Sequence, residues 1–336
     1  MKKEPVYKIT VVGDGGWGTT LAVHLANKGH AVTLWGPFPE YIQNIRTNRY
    51  NPKFLPGIRI PQSIHLEENL KAALEETEII VFAIPSQFAR SVLKKMKATK
   101  INFSSVLFTS VTKGIETQSL KRISEIIREE IGNTQLAVLS GPTIAMEVAQ
   151  NIPSTAVVAC VKRSIAKKLQ TVFNSESFRI YTNSDIIGVE IGGSIKNIIA
   201  LACGVCDGLK LGSNTKAAIL TRGLAEMARL GKKLGGKTST FTGLTGLGDL
   251  ATTCFSPQSR NRTVGEKIGS GKNIKDILSS MEMVAEGVET AKAVYKLSQK
   301  LKVDMPITRE VYNIVTSHKS PEAAVNDLMT RKLKSE

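Results

Sequence analysis

The first half of the chain alternates between short apolar runs and segments with the 3.6-residue spacing of amphipathic helices. The apolar runs are rich in β-branched residues and predict strands at residues 8–12, 30–35, 78–83, 105–110, 136–139 and 155–160. The helical segments between them cover residues 19–27, 89–96 and 120–131. This alternation is typical of an α/β domain built on a Rossmann-like, doubly wound parallel sheet.

The pattern changes near residues 185–193. Beyond this stretch strand-like runs are scarce, and helical spacing dominates residues 195–205, 216–234, 264–268, 291–301, 310–316 and 321–329. A chain of 336 residues is long enough for two domains. We therefore predict a Rossmann-like sheet domain over residues 1–188 and a mainly α-helical domain over residues 189–336.

Composition and charge narrow the class of protein. No apolar run reaches the ~18–20 residues that span a bilayer, so we predict no membrane span. Four cysteines are too few for a disulfide framework in a chain of this length, and the N-terminal apolar run is too short for a signal peptide. Both observations favour a cytoplasmic protein. The net charge of +16 is spread over both halves and aromatic residues make up only 5%, which favours anionic small molecules over a specific nucleic-acid site.

Gly13, Gly15 and Gly18 form a G-x-G-x-x-G motif between the first predicted strand and the first predicted helix. In this context the first glycine permits a tight turn, the second lets the backbone approach a pyrophosphate, and the third allows close packing of helix and strand. The helix N-terminus then presents oriented N–H groups to the anion. The motif therefore predicts a dinucleotide site.

The second predicted strand ends without the acid that an NAD-selective site uses to bind the ribose 2′-hydroxyl. The sequence there reads Trp35-Gly36-Pro37-Phe38, and Glu40 is the first acid. No arginine stands in this turn either. The absent acid favours NADP slightly over NAD, and the choice of coenzyme stays open at this point.

Two further motifs receive structural interpretations. Residues 231–238 match the Walker A pattern, but they follow a helical segment and not a strand, so we interpret them as the glycine cap of a helix. Cys203 and Cys206 form a C-x-x-C without a second pair of ligands, which predicts core packing and no metal site.

Two lysines beside glycine-rich segments are candidates for proton transfer, since the four histidines are scattered along the chain. Lys113 precedes Gly114, and Lys196 follows Gly192 and Gly193, which we interpret as a turn at the domain boundary. A cleft there would desolvate the lysine amine and lower its pKa toward the range that acid–base catalysis requires. Farther along, residues 259–262 place arginine beside asparagine, a pairing that suits a phosphate.

Nine segments of this kind occur together: GDGGWGTTLA at 13–22, VTKGIE at 111–116, SGPTIAME at 140–147, GVEIGGSIKN at 188–197, TRGLAEMARL at 221–230, GLGDLATT at 246–253, QSRNR at 258–262, VAEG at 284–287 and MPIT at 305–308. In this order and spacing the chain resembles the bacterial-type NAD(P)-dependent glycerol-3-phosphate dehydrogenases along nearly its whole length. The resemblance implies reduction of dihydroxyacetone phosphate to sn-glycerol 3-phosphate for phospholipid synthesis, with NADP or NAD as coenzyme. It also implies a homodimer.

The resemblance implies roles for residues at matching positions. Lys196 matches the proton donor and acceptor, and Lys113 matches a lysine that contacts both substrate and coenzyme. The residues that match groups orienting lysine and substrate are Asn197, Asp249 and Thr253. Those that match substrate contacts are Ser259, Arg260 and Asn261 at the phosphate, with Gly141 and Thr143. Those that match coenzyme contacts are Gly16, Trp17, Phe54, Ala145, Val284, Glu286 and Arg260, beside the glycine motif.

The sequence departs from the family pattern in two places. Pro37-Phe38 replaces a basic residue that usually follows the second strand, which affects the choice of coenzyme. Phe54 replaces a tyrosine. Three alternatives are weighed: a related two-domain dehydrogenase of the 6-phosphogluconate or hydroxyacid type, a dinucleotide-binding sensor without turnover, and a P-loop NTPase. The QSRNR and GVEIGGSIKN segments disfavour the first, and the intact lysines disfavour the second.

Overall fold

The computed structural model describes residues 5–281, 285–333 and 335. The chain forms two compact units, one of Met1–Lys113 with Arg122–Ile186 and the other of Gly114–Lys121 with Ile187–Glu336. The predicted division after residue 188 falls close to the break after Ile186. The short segment Gly114–Lys121 was not predicted to group with the second half of the chain.

The first unit contains an eight-stranded sheet and a two-stranded hairpin. The strands are β1 Lys8–Val12, β2 Ala31–Trp35, β3 Tyr50–Asn51, β4 Leu55–Arg59, β5 His65–Glu67, β6 Ile79–Phe82, β7 Leu107–Ser110, β8 Gln135–Ser140, β9 Ser154–Ala159 and β10 Phe178–Asn183. The sheet order is β10-β9-β8-β7-β6-β1-β2-β5, and β3 pairs with β4. All sheet neighbours run parallel except β8 and β9, which are antiparallel.

Helices of the first unit connect these strands. They are α1 Gly16–Asn27, α2 Pro39–Asn48, α3 Leu70–Leu74, α4 Ser86–Ala98, α5 Ile123–Ile131, α6 Ala145–Ala149 and α7 Arg163–Phe173. Every residue of β6 and β7 is buried, as expected for central parallel strands covered on both faces. The predicted Rossmann-like sheet is thus confirmed.

The sheet reverses its winding direction between β1 and β6. From β1 the chain proceeds through β2 to β5 at one edge, and from β6 through β7 to β8 in the opposite direction. Val12 lies in register with Trp35 on one side and with Phe82 on the other, so these three strands end together. In open α/β sheets, ligands bind beyond the carboxyl ends of strands at this kind of switch point.

The second unit is helical, as predicted. Its elements are α8 Ile186–Gly208, α9 Gly212–Lys233, α10 Thr238–Phe241, a π-helical turn Leu244–Gly248, α11 Asp249–Phe255, α12 Arg260–Gly269, α13 Ile274–Ser279, α14 Glu286–Leu301, α15 Pro306–Ser317 and α16 Pro321–Met329. Helix α8 is long and apolar enough to cross a membrane, but 94% of its most apolar window is buried within the protein. Such burial is usual for the central helix of a helical core.

The interpretation of Gly192 and Gly193 as a turn is wrong, because α8 passes through both. A Cβ atom at Gly192 would collide with the carbonyl oxygen of Thr245 in the π-helical turn. The glycine therefore permits close packing of backbone on backbone, a long-range reason that local propensity does not contain. The predicted helix at residues 195–205 is part of α8, which begins at Ile186.

Other element boundaries also differ from the prediction. Helix α5 begins at Ile123 and not at residue 120, because Leu120 has a left-handed backbone with φ of +60°. The backbone N–H of Arg122 donates to the Glu125 side chain at 2.8 Å, which caps the helix there. Strands β5 and β10 and the β3–β4 hairpin were not predicted, since each is short or lacks a continuous apolar run.

Candidate active site

The glycine motif lies between β1 and α1, at the carboxyl end of β1, where the sheet reverses its winding direction. Gly13 has φ of +121°, and a Cβ there would lie 2.7 Å from the carbonyl oxygen of Ala83. A Cβ at Gly18 would collide with the carbonyl oxygen of Gly13. By contrast, a Cβ at Gly15 would meet no described atom within 4 Å. The loop is thus tight on its protein side and open at Gly15, where the first N–H groups of α1 begin.

Two residues predicted to contact the coenzyme gather around Gly16. A Cβ at Gly16 would lie 2.6 Å from the carbonyl oxygen of Phe54 and 3.9 Å from the Cβ of Ala145. The hydroxyl of Thr20 donates to the carbonyl oxygen of Ala145 at 3.1 Å, which ties α6 to α1. Trp17 packs edge-on against Phe178, with their ring centroids 6.3 Å apart.

Asn51 fixes the hairpin to the glycine loop, a role that the sequence did not reveal. Its buried side chain donates to the carbonyl oxygen of Asp14 at 2.7 Å and to the Thr19 hydroxyl at 2.8 Å. Its Oδ1 atom accepts hydrogen bonds from the Tyr41 hydroxyl at 2.5 Å and from the backbone N–H of Phe54 at 3.2 Å. No sequence motif marks Asn51, because its partners other than Phe54 are distant in sequence and meet it only in the folded chain.

Asp14 is a buried acid within the glycine loop. Its Oδ2 atom has no hydrogen-bond partner among the residues that the structure describes. Burial raises the pKa of this carboxyl to about 6, although its own backbone N–H and the Lys53 ammonium act in the opposite direction. An acid inside a dinucleotide loop was present in the sequence but was not predicted to have a role.

The loops after β7 and β8 bring together three residues that were predicted to contact substrate. The ammonium of Lys113 donates to the carbonyl oxygen of Gly141 at 3.2 Å, and the hydroxyl of Thr143 donates to the same oxygen at 3.2 Å. A Cβ at Gly141 would lie 2.9 Å from the Cα of Ala156, so a glycine is needed for this loop to pass over β9.

Lys196, Asp249 and Thr253 form a buried polar cluster inside the helical unit. Lys196 lies on α8 and is 7% exposed, while Asp249 begins α11 and is 1% exposed. The Lys196 ammonium forms an ion pair with Oδ1 of Asp249 and donates to the Thr253 hydroxyl at 2.9 Å. That hydroxyl donates its own hydrogen to the carbonyl oxygen of Asp249 at 2.6 Å, so toward Lys196 it acts as an acceptor. Asn197 is the next residue on α8 and is also buried.

The predicted phosphate-binding residues lie at the start of α12. The Ser259 hydroxyl caps this helix by accepting from the backbone N–H of Arg262 at 3.3 Å. Arg260 is exposed and Asn261 is buried. The Oδ1 atom of Asn261 accepts from the backbone N–H of Gly287 at 2.9 Å, which identifies its NH₂ group as the donor available for other contacts.

Two other predicted coenzyme contacts belong to the same part of the chain. Glu286 is the first residue of α14 and is partly buried. Val284 lies outside the described residues, so its predicted role stays a prediction.

The two other motifs have the predicted structural roles. The Walker A pattern spans the end of α9, where the backbone N–H of Gly236 donates to the carbonyl oxygen of Gly231 at 2.8 Å, a C-terminal cap. Cys203 and Cys206 are buried in α8. Within the described ranges, no group of three or more His, Cys, Asp or Glu is placed to hold a metal ion.

The glycine loop fits a dinucleotide coenzyme. Its protein side excludes any side chain, its outer side is open at Gly15, and it opens a helix whose N-terminal dipole favours a pyrophosphate. The helical unit separately supplies a buried ammonium with two fixed acceptors. A hydride-transfer coenzyme and a proton-transfer group are the two requirements for reducing a ketone or oxidising an alcohol.

Comparison with known proteins agrees with these features. Residues 8–166 match the family model for the NAD-dependent glycerol-3-phosphate dehydrogenase N-terminus, and residues 185–326 match the model for its C-terminus. The glycerol-3-phosphate dehydrogenase (NAD(P)+) of Prosthecochloris aestuarii is 49% identical over 98% of this chain and 99% of its own. That of Bacillus cytotoxicus is 46% identical over 98% and 97%.

A solved structure is also similar to this chain in both fold and sequence. The crystal structure of glycerol-3-phosphate dehydrogenase from Coxiella burnetii superposes with a TM-score of 0.94 at 38% identity. The match covers 97% of this chain and 99% of that one.

Proposed function

The chain belongs to the NAD-dependent glycerol-3-phosphate dehydrogenase family and is an NAD(P)-dependent oxidoreductase, and from this premise we propose how its residues divide the reaction. The observation that carries the proposal is the buried cluster of Lys196, Asp249 and Thr253. The physiological direction in this proposal is reduction of dihydroxyacetone phosphate to sn-glycerol 3-phosphate, which supplies glycerophospholipid synthesis.

Residues of the glycine loop bind the coenzyme in this proposal. Gly13, Gly15 and Gly18 shape the backbone against the pyrophosphate, and the N-terminus of α1 supplies N–H donors. When bound, the coenzyme supplies a hydride to the substrate carbonyl or takes one from the alcohol. The remaining proposed contacts are Gly16, Trp17, Phe54, Lys113, Ala145, Arg260, Val284 and Glu286.

Lys196 transfers the proton. As a hydride adds to the ketone carbon of dihydroxyacetone phosphate, negative charge develops on the ketone oxygen, and the Lys196 ammonium donates a proton to that oxygen. In the reverse direction the neutral amine accepts the hydroxyl proton. Asp249 favours the charged ammonium, which is the form that reduction requires. Thr253 and Asp249 together hold the direction of the N–H groups, because each is a fixed acceptor.

The phosphate of the substrate requires cationic and neutral donors. We assign Arg260 and Asn261 to this role, with Ser259 alongside. The Asn261 amide suits it because its carbonyl oxygen is already occupied by Gly287, so its NH₂ group donates. Lys113, Gly141 and Thr143 are further proposed substrate contacts, and Asn197 is proposed to help orient the substrate or Lys196.

We propose a separate role for each of the two parts of the chain. We propose residues 1–188 as the NAD(P)-binding domain and residues 189–336 as the substrate-binding and catalytic domain. A homodimer in the cytoplasm is the assembly and location expected for such an enzyme. A dinucleotide sensor without turnover is the alternative that experiment has to exclude.

The test is loss of NADH or NADPH absorbance on addition of dihydroxyacetone phosphate, with Lys196→Ala as the variant. We expect kcat to fall by about 10³-fold in Lys196→Ala, because general acid catalysis typically contributes 10²–10⁴-fold. Coenzyme affinity, measured by titration of protein fluorescence, stays near that of the wild type. Lys237→Ala is the matched control, since Lys237 is an exposed lysine outside the cluster.

Two outcomes would reverse the assignments. Full activity in Lys196→Ala would remove that lysine from proton transfer. Wild-type protein that binds coenzyme yet oxidises neither NADH nor NADPH would support the sensor.

A further inference from the structure

The end of β2 contains a feature that the sequence did not suggest. Strand β2 ends at Trp35, and the residue that follows is Gly36. Dinucleotide sites place the acid that binds the adenosine ribose at about this position. No acid stands there in the sequence. In the structure, however, the carboxyl group of Asp14 reaches it from the glycine loop.

Gly36 leaves the space that the Asp14 carboxyl occupies. A Cβ atom at Gly36 would lie 2.5 Å from both Cγ and Oδ2 of Asp14, closer than any real contact. It would also lie 2.7 Å from Cδ1 of Ile42 on α2. A side chain at position 36 and the Asp14 carboxyl therefore exclude one another. The acid at the end of β2 is provided by residue 14 in place of residue 36.

The position of this carboxyl leaves one oxygen without a partner. Asp14 is 6% exposed, and its Oδ2 atom accepts no hydrogen bond from the described part of the chain. Buried polar atoms in native proteins are nearly always hydrogen-bonded, so an atom without a partner requires an explanation. A carboxylate oxygen is an acceptor only, so the missing partner is a donor such as a hydroxyl group.

We propose that Asp14 selects the coenzyme: its carboxylate accepts a hydrogen bond from the 2′-hydroxyl of the adenosine ribose and repels a 2′-phosphate. The chain therefore prefers NAD(H) to NADP(H), the reverse of the preference expected from the β2 sequence alone. The inference rests on the proposed role of the glycine loop as the dinucleotide site. It adds to that role the residue that discriminates between the two coenzymes.

Two arginines of this part of the chain have other partners, whereas the exposed Lys53 ammonium does act on the Asp14 charge. Arg46 donates to the carbonyl oxygen of Leu66 at 2.6 Å and forms an ion pair with Glu68 at 2.6 Å. Arg49 donates to the carbonyl oxygen of Ile64 at 3.0 Å. Both guanidinium groups are thus committed to the segment around β5. Lys53 is exposed, and its ammonium lies 5.4 Å from the Phe54 ring centroid.

Ionisation of Asp14 supports the proposal at neutral pH. Burial raises the pKa of its carboxyl to about 6, which still leaves the carboxylate as the main form at pH 7.5. Its place just before α1 also favours a negative charge, because the N-terminus of a helix carries positive partial charge.

The test measures binding of the adenosine half of the coenzyme alone. ADP-ribose and 2′-phospho-ADP-ribose are titrated into the full-length protein by calorimetry, which requires no turnover. We expect the wild type to bind ADP-ribose at least 10-fold more tightly than its 2′-phosphate, and Asp14→Asn to reduce this ratio by about 10-fold. Asp14→Ala, which leaves room beside Gly36, provides a second variant if the amide disturbs the loop.

Glu40→Gln is the matched control. Glu40 is the first acid after β2, it is exposed, and the substitution removes the same charge. We expect the ratio of the two dissociation constants to be unchanged in this variant. If Glu40→Gln lowers the ratio and neither Asp14 variant does, Glu40 is the selecting residue and the proposal is overturned.

The remaining outcomes separate this inference from the proposed function. Tight binding of both ligands with an equal ratio in wild type and Asp14 variants would refute the role of Asp14 and leave the dinucleotide site intact. A wild type that prefers the 2′-phosphate would also refute it. Binding of neither ligand would refute the glycine loop as the coenzyme site.

Discussion

At the scale of single residues, the proposed chemistry depends on which atoms donate and which accept. The Thr253 hydroxyl has one hydrogen, and the carbonyl oxygen of Asp249 takes it. Thr253 is therefore fixed as an acceptor toward Lys196, and Asp249 supplies the balancing charge. A buried ammonium that loses this charge becomes costly to keep protonated.

Asp249→Asn tests that dependence. The amide keeps the shape of the carboxylate but not its charge, so the protonated form of Lys196 is less favoured and reduction slows. We expect kcat for reduction of dihydroxyacetone phosphate to fall by about 10²-fold, within the range of general acid catalysis. Coenzyme binding, measured by fluorescence titration, remains unchanged. Wild-type kcat in Asp249→Asn would show that the ion pair is structural only.

The sequence predicted some of these residues and not others for identifiable reasons. Gly13, Gly15 and Gly18 are visible because the chain itself brings their functional neighbour, the start of α1, next to them. Lys196 was a candidate for proton transfer from its own sequence context, but its partnership with Asp249 came from the resemblance, since 53 positions of sequence separate them. Asn51 was missed because its partners Asp14 and Thr19 meet it only when the β3–β4 hairpin folds against the glycine loop.

At the scale of elements, long-range packing explains where the predicted boundaries were wrong. Glycines are poor helix formers, so residues 192 and 193 suggested a turn. Helix α8 nevertheless continues through them because the π-helical turn packs directly on its backbone. The alternation of strands and helices in the first unit was predictable from local periodicity. The exact extent of α8 was not, since it depends on a partner more than fifty residues away.

The contact between α9 and α15 shows how one buried acid can anchor a helix. Glu226 on α9 is fully buried and accepts from the backbone N–H groups of Ile307 at 2.6 Å and Thr308 at 3.1 Å. It also accepts from the Thr308 hydroxyl at 3.0 Å. These donors belong to the first turn of α15, where backbone N–H groups lack partners within the helix.

This anchor makes stability depend on pH. Burial raises the pKa of Glu226 to about 7, against partial opposition from its hydrogen bonds. The unfolded chain then releases this proton at lower pH than the folded chain, so the free energy of unfolding decreases as pH rises from about 4.5 to about 7. The loss from this group is on the order of 3 kcal/mol if the full shift is expressed.

Urea unfolding of the wild type and Glu226→Gln between pH 5 and pH 8 measures this contribution. The variant lacks the titrating group, so its unfolding free energy should change less over this range than that of the wild type. Parallel pH profiles for the two proteins would contradict the assignment. Glu289→Gln is a suitable control, because Glu289 is partly exposed and its pair with Lys292 lies on the surface of α14.

At the scale of the whole molecule, the net charge of +16 bears on substrate capture. Dihydroxyacetone phosphate and the coenzyme are both anionic, and a positive field increases the rate at which anions reach a protein. Composition was sufficient to predict this preference, because it depends on the sum of charges and not on their exact places. It could not identify the residues that bind the phosphate.

Ionic strength should therefore affect the rate of substrate binding more than the rate of the chemical step. Raising the salt concentration from 0.01 M to 0.5 M shortens the screening length several-fold, and we expect kcat/KM for dihydroxyacetone phosphate to fall on the order of 10-fold. The value of kcat should change little, since bound substrate no longer depends on the long-range field. Steady-state kinetics at fixed pH and varied potassium chloride measure both. An equal decrease in kcat would indicate that salt acts on the protein and not on capture.

The segment Gly114–Lys121 has a consequence for the order in which the protein is made. It follows β7 in the chain but belongs to the helical unit, where Ile115 is fully buried and the backbone N–H of Gly114 donates to the Ser194 hydroxyl at 3.0 Å. On the ribosome Gly114 emerges 80 residues before Ser194, and nascent domains fold as units. The first unit can therefore fold before the helical unit is complete. The apolar segment that contains Ile115 stays exposed to solvent until α8 has been synthesised.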